Sequence, residues 1–239
     1  MPDLSGKIAI VTGGSKGIGR AIAAALAAAG ADVVVTSRNE DEARTAAKEI
    51  AELGQGRTLG LGADVRDYEA VKTMVGETVK ALGGLDILIA NAGVGAFAPI
   101  DEMDAETWNR VIDTNLTGVF YSCREAIPEL KKRGGGWIIT IGSVAGRYTM
   151  PGGTAYNASK WGLRGFTEAL MLDVRHHGIR VSTIMPGTVD TYFNDNLPSG
   201  ESWKLAPADV ARVVIQLLEH DPRSLPSKIE IRPSQPPRR

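Results

Sequence analysis

Seven residues, Gly13-Gly14-Ser15-Lys16-Gly17-Ile18-Gly19, follow a short β-rich run from Lys7 to Thr12 and lead into an alanine-rich helical stretch from Arg20 to Ala29. Strand, glycine turn and helix in that order restrict this chain more than any other feature. Small residues let a backbone approach a phosphate closely, and the free amides and positive dipole end of the helix favour its charge. The spacing is Thr12-Gly13-x-x-x-Gly17-x-Gly19 rather than G-x-G-x-x-G. Taken alone, the same residues also describe an ordinary strand-to-helix turn. Gly30 stands where a left-handed helix cap is often needed.

The alternation continues to the far end. Strands are expected at Asp32 to Ser37, Arg57 to Leu61, Leu85 to Ala90, Gly136 to Ile141, Arg180 to Met185 and Lys228 to Ile231. Between them the periodicity predicts helices at Asp41 to Leu53, Tyr68 to Leu82, Ala105 to Lys132, Thr154 to His177 and Pro207 to Glu219, with Pro128 ending or bending the third. Short apolar strands alternating with amphipathic helices imply a doubly wound parallel sheet of about seven strands, covered on both faces, in one α/β domain. That domain is expected over residues 1–232, with 233–239 as a flexible tail. Hydrophobic residues make up 43% of the chain, enough for such a core. The 27 basic and 28 acidic residues form no long run of one sign, which argues against a nucleic-acid or membrane-surface partner. No signal peptide is expected, and Ala21 to Ala31 is too short to span a bilayer, so a cytoplasmic protein is the expectation. The single cysteine, Cys123, reads as a thiol in a helix core, and no metal site is expected.

The end of the second strand bears on nucleotide choice. An acid there would accept hydrogen bonds from the ribose hydroxyls of NAD and repel an added phosphate. The chain has Ser37-Arg38 instead, with Lys16 as a second cation, which points to NADP(H) gripped at its 2′-phosphate by Arg38 and Lys16. The other reading is that both are solvated surface charges. Further on, Tyr156 and Lys160 are four residues apart, so on a helix they share a face, and Ser143 precedes the tyrosine by thirteen residues. A phenol beside a fixed cation ionises more easily, which makes Tyr156 a candidate acid/base and Ser143 a donor to a reacting oxygen.

With Thr-Gly-x-x-x-Gly-x-Gly, Asn91-Ala92-Gly93, Asn115, Ser143, Tyr156-x-x-x-Lys160 and Pro186-Gly187 in order, the chain resembles the short-chain dehydrogenase/reductase family from about Leu4 to Ile231. The resemblance implies that Gly13, Ser15, Ile18 and neighbouring backbone, including Gly17 and Gly19, line dinucleotide phosphates, and that Asp64 and Val65 hold the adenine. It implies that Asn91, Ala92 and Gly93 steady the central sheet and approach the ribose, and that Pro186, Gly187, Val189 and Thr191 contact the nicotinamide. Asn115, Ser143, Tyr156 and Lys160 would form a catalytic tetrad, in which Lys160 holds the ribose and lowers the proton affinity of Tyr156 while Asn115 holds a water linking Lys160 to solvent.

The implied activity is NADPH-dependent reduction of a ketone or aldehyde, with Tyr156 as proton donor. Alternatives are a 3-oxoacyl-thioester (acyl-carrier-protein) reductase, an oxidative secondary-alcohol dehydrogenase, and a dinucleotide-binding regulator without turnover. The ending Ile229-Glu230-Ile231-Arg232-Pro233 lacks the longer paired-glycine segment usual in oxoacyl-thioester reductases and looks more like members acting on small hydroxy acids, aldehydes or ketones. Substrate contacts are expected from Val94 to Pro99, Val144 to Gly153 and a lid at Thr188 to Leu205. Phe97, Tyr148, Met150, Tyr192, Phe193, Leu197 and Trp203 would form an apolar pocket with an anionic contact at Arg147, or would simply cover the sheet edge. The family is usually dimeric or tetrameric, so a homo-oligomer, and a homotetramer in particular, is expected, built on the two longest helices.

Overall fold

A computed structural model of the chain describes residues 2–193 and 197–237; residues 194–196 of the expected lid, Met1 and the last two arginines of the expected tail lie outside them. The seven strands are β1 (Ile8–Val11), β2 (Asp32–Ser37), β3 (Thr58–Gly62), β4 (Ile87–Ala90), β5 (Gly136–Ile141), β6 (Ile179–Pro186) and β7 (Lys228–Ile231). They form one sheet in the order β3-β2-β1-β4-β5-β6-β7, every pair parallel. The expected doubly wound sheet is what the chain folds into.

Side chains two apart along a strand point to one face, and this alternation divides the interior into two cores. Ala9, Val11, Val33, Val35, Ile87, Ile89, Ile139 and Ile141 pack on one side with α1 (Gly17–Ala28), α2 (Glu40–Ala51) and α7 (Pro207–Leu218). Ile10, Val34, Leu88 and Ile138 face the other side, against α3 (Tyr68–Leu82), α5 (Gly118–Lys132) and α6 (Thr154–Val174). Gly30, with φ +93°, closes α1 by donating its N–H to Ala27 O at 2.9 Å. Cys123 is buried, and loss of solvation pushes its thiol up to about 12, which keeps it protonated in the core.

The long helix expected over Ala105 to Lys132 is two helices. α4 (Ala105–Ile112) passes through a π-helical segment, Asp113–Thr117, into α5. The break falls at Asn115, while Pro128 sits inside α5, which continues to Lys132. The cause is tertiary. The Asn115 side chain is drawn into bonds with the strand-end segment after β4, and a wider turn accommodates them.

Strand order reverses direction between β1 and β4, and in open parallel sheets the crevice beyond the carboxyl ends at such a switch point is where ligands bind. At the opposite edge, buried Asp86 accepts from Ile8 N at 3.0 Å and from Arg133 Nε at 3.1 Å, pinning β1 beside β4.

Candidate active site

A cavity of about 320 Å³ opens at this switch point. Its walls come from the β1–α1 turn, the ends of β2 and β3, the segments after β4 and β5, the start of α6, and residues 191–193.

At one end, α1 begins without help from its own side chains. Lys16 is its N-cap and provides no side-chain hydrogen bond, and no acid lies in the first turn. By contrast α2, α3 and α4 are capped by Asn39, Asp67 and Asp104. The N–H groups of α1 are thus left to whatever anion enters the cavity. The glycines keep the turn close to its neighbours. Gly13 has φ +62°, and a Cβ there would lie 2.9 Å from Ala92 Cα. A Cβ on Gly19 would collide with Asn91 Nδ2 and Gly13 O. Asn91 in turn donates to Thr12 O at 2.9 Å and Gly13 O at 3.0 Å, while its N–H and that of Ala92 reach Thr12 Oγ1 at 3.0 and 3.1 Å. This cradle fits a dinucleotide phosphate.

Gly13, Ser15, Lys16, Gly17, Ile18, Gly19, Ser37, Arg38, Asp64, Val65, Asn91, Ala92 and Gly93 all line the cavity, as do Thr191, Tyr156 and Lys160. Lys16 and Arg38 are exposed at its mouth. Asp64 pairs with Arg66 at 2.6 Å, and that bond, with a smaller pull from Arg38, keeps its carboxyl below the usual range despite partial burial. Pro186, Gly187 and Val189 are not among the lining residues. Gly187 donates its N–H to Ile231 O at 2.8 Å, and Val189 packs on the α1/α7 core, so of that expected segment Thr191 is the one that reaches the cavity.

At the other end, α6 carries Tyr156 and Lys160, both buried. Lys160 Nζ donates to Ile141 O at 3.0 Å and stands 5.8 Å from the Tyr156 ring centroid. Burial pushes its ammonium down to about 8. The phenol departs from expectation. Burial is the largest influence and raises the proton affinity of Tyr156, opposed by a hydrogen bond from Ser143. Desolvation penalises both charged forms, and the ammonium is spent on a carbonyl rather than on the phenol. Ser143 follows β5, where its Oγ accepts from Ala145 N at 3.1 Å, so it caps a short 3₁₀ turn as well as meeting Tyr156.

Asn115 is buried, and its side chain is fully engaged as a donor. Nδ2 gives hydrogen bonds to Val94 O at 2.9 Å and Ser159 Oγ at 3.0 Å, while Oδ1 accepts from Val94 N at 2.8 Å. Both amide protons are used, so the water expected on Asn115 finds no side-chain donor there. Asn157 is among the residues with a site role that were missed. Asn157 donates to Ala145 O at 2.7 Å and Tyr148 O at 2.9 Å and accepts from Met150 N at 3.3 Å, tying the β5–α6 loop to the turn that bears Tyr156. Its position directly after Tyr156 was the available signal.

Phe97 and Phe193 flank the phenol, with ring centroids 5.5 and 5.4 Å from that of Tyr156, and both approach the open side of Gly95. Phe97 reaches the phenol from outside the cavity lining, whereas Phe193 and Tyr192 line the cavity. Tyr148, Met150, Leu197 and Trp203 do not, and neither does Arg147, whose guanidinium pairs with Glu230 at 3.5 Å. The lid expected at Thr188 to Leu205 has a tied base: Val189 bridges Leu205, and Asp190 accepts from Ser199 N and Gly200 N, each at 2.8 Å.

A parallel seven-stranded sheet with an open helix terminus, a buried Tyr-Lys pair and a half-buried serine at one switch point is the fold of a dinucleotide-dependent oxidoreductase. A sequence profile of the family described as short chain dehydrogenase matches residues 7–202, and the chain belongs to that family. It is 40% identical over 186 residues to a D-beta-hydroxybutyrate dehydrogenase of Rhizobium meliloti, covering 77% of this chain and 72% of that one. It is 37% identical over 198 residues to a 2-dehydro-3-deoxy-L-rhamnonate dehydrogenase (NAD(+)) of a Sphingomonas strain, covering 82% and 78%. Among solved structures, an alcohol dehydrogenase from the archaeon Thermococcus sibiricus, complexed with 5-hydroxy-NADP, superposes with a TM-score of 0.91 at 28% identity over 98% of this chain and 99% of that one. The protein is therefore an oxidoreductase of CH–OH and C=O groups, from a family that binds a nicotinamide dinucleotide. No helix among the described residues is long and apolar enough to cross a membrane.

Proposed function

We propose that the protein reduces a ketone or aldehyde to an alcohol with NADPH, using Tyr156 as the proton donor. The observation that carries this reading is the meeting of a buried phenol, a buried ammonium and an uncapped helix terminus on one cavity. When bound, the nicotinamide supplies hydride to a carbonyl carbon. As charge grows on the carbonyl oxygen, the Ser143 hydroxyl donates to it and Tyr156 Oη delivers its proton. Burial favours the protonated phenol, which is the form reduction needs. Lys160, fixed by Ile141 O, holds the ribose and places a cation beside the phenolate that remains. Asn115 acts by bracing Val94 and Ser159 around the tetrad.

Preference for NADP(H) is supported by Lys16 and Arg38 at the cavity mouth and by the absence of an acid at position 37 or 38. The 5-hydroxy-NADP complex of the archaeal relative supports it too, whereas the rhamnonate enzyme carries NAD(+) in its name. The substrate end is apolar, framed by Phe97 and Phe193, and Arg147 is held by Glu230, so an uncharged carbonyl suits it better than an acid. The same machinery run backwards oxidises a secondary alcohol. We further infer a homo-oligomer, from Phe120 on α5 and Trp161 and Leu172 on α6, which are 42%, 46% and 53% exposed. The domain is taken as 1–232 and the setting as cytoplasmic.

The test is a panel of ketones, aldehydes and oxoacyl thioesters followed by loss of NADPH absorbance, with NADH alongside. Turnover of uncharged ketones or aldehydes at higher kcat/KM with NADPH is expected, and equal use of both cofactors would overturn the preference. Tyr156→Phe should retain cofactor binding and lose turnover by at least about 10³-fold; near-normal turnover would end the mechanism.

A further inference from the structure

Resting on the dinucleotide reading above, the geometry points to Glu42 as a further specificity-determining residue of this site. We propose that it competes with an adenosine 2′-phosphate for the hydroxyls of Ser15 and Ser37, and so holds the NADP(H) preference given by Arg38 and Lys16 to a modest margin. Three acids, Glu40, Asp41 and Glu42, occupy the first turn of α2. Glu40 is paired with Arg44 at 2.6 Å. Glu42 instead turns into the cavity, where its Oε2 accepts from Ser15 Oγ and Ser37 Oγ, each at 3.4 Å. The helix start that carries it is fixed, because the Asn39 side chain accepts from Asp41 N at 2.9 Å and Glu42 N at 3.3 Å.

The two serines belong to different strand ends, one in the β1–α1 turn and one at the end of β2. One carboxylate oxygen therefore joins the two segments expected to surround the adenosine ribose, in the company of Arg38, Lys16 and Asn39. A ribose 2′-hydroxyl can donate to that carboxylate. A 2′-phosphate cannot; it is an anion that needs the same two hydroxyl donors, so it must either displace Glu42 or lie beside it at a cost in like-charge repulsion. The cations and the carboxylate thus act in opposite directions on one choice. The site is exposed, so screening limits the effect to about 3- to 10-fold in affinity.

A plain helix-start acid would behave differently. Its role would be to complement the α2 dipole, and its loss would lower stability without distinguishing the two nucleotides.

The experiment measures binding of NADP+ and NAD+ to the full-length protein by calorimetry at low salt, for the unmodified chain, Glu42→Gln and Glu42→Ala, with melting temperatures recorded in parallel. Glu42→Gln is expected to tighten NADP+ by about 3- to 10-fold and to leave NAD+ unchanged or weaker, with the gain shrinking as salt is added. Glu42→Ala should tighten NADP+ in the same direction. Overturning results are an NADP+ affinity that is unchanged or weaker in both variants, an equal gain for NAD+, or a fall in melting temperature with no change in the ratio. If the unmodified protein binds neither nucleotide, the dinucleotide reading itself falls; if it binds them and the ratio stays fixed, the role of Glu42 alone is lost.

Discussion

At the scale of single residues, the site is governed by desolvation. Burial raises the proton affinity of Tyr156 and pushes Lys160 down to about 8 from the ordinary 10.5. Tyr156 then stays protonated over the neutral range, so the kcat/KM for reduction should be flat there and fall only at alkaline pH. The rate of alcohol oxidation should rise with pH, since it needs the phenolate. Opposite slopes from a pH series in both directions would support this, and parallel slopes would exclude Tyr156 as the shared group. For Lys160 the folded value lies below the unfolded one, so the unfolded chain holds the extra proton between about pH 8 and 10.5 and stability rises across that window. Lys160→Met removes this pH dependence but leaves Ile141 O without its donor, so the stability of the variant relative to the unmodified chain should fall as pH rises from about 8 to about 10.5, while turnover is lost. Thermal melts at both ends of that window check this, and a difference that does not change with pH would contradict it. The positions of Tyr156, Lys160 and Ser143 were legible because spacing on a helix and at a strand end carries them. Their ionisation was not, because it depends on how much protein surrounds each group, a quantity that spacing does not contain.

At the scale of elements, β2, β5, β7 and α3 run where periodicity places them, and the other strands shift by a residue or two at their ends. Buried parallel strands leave a plain apolar signal, and Gly or Asp marks their edges. The π-helical segment at Asp113–Thr117 left none, since Pro128 is the residue that local rules flag and it is tolerated inside α5. What widens that turn is a pair of bonds to Val94, twenty-one residues earlier in the chain. Asn115→Ala would leave both polar groups of the Val94 backbone without these partners. We expect a loss of about 1–3 kcal/mol, a fall of several degrees in melting temperature, and a reduced kcat. Unchanged stability would mean that the turn is held by helix packing instead. The roles of Asn157 and Glu42 were hidden for the same reason: each is defined by partners from another element.

At the scale of the whole molecule, the cavity gathers residues from Gly13 to Phe193, supplied by separate segments that converge at the carboxyl ends of a single parallel sheet. That convergence was foreseen from strand–helix alternation and the glycine turn, whereas the apolar faces of α5 and α6 leave the assembly to be measured. Sedimentation of the unmodified protein at micromolar concentration should give a dimer or tetramer, and Phe120→Glu or Trp161→Glu should shift it toward smaller species. A monomer under those conditions would remove the inference. The clasp between Asn115 and Val94 has a consequence for altering the enzyme by selection. It pins the strip of chain that leads to Phe97, making that side of the pocket a poor place to seek new selectivity, because most replacements there would disturb the tetrad as well. Tyr192 and Phe193 line the cavity from a separate segment beyond β6, so libraries aimed at other carbonyl compounds should begin with those two residues.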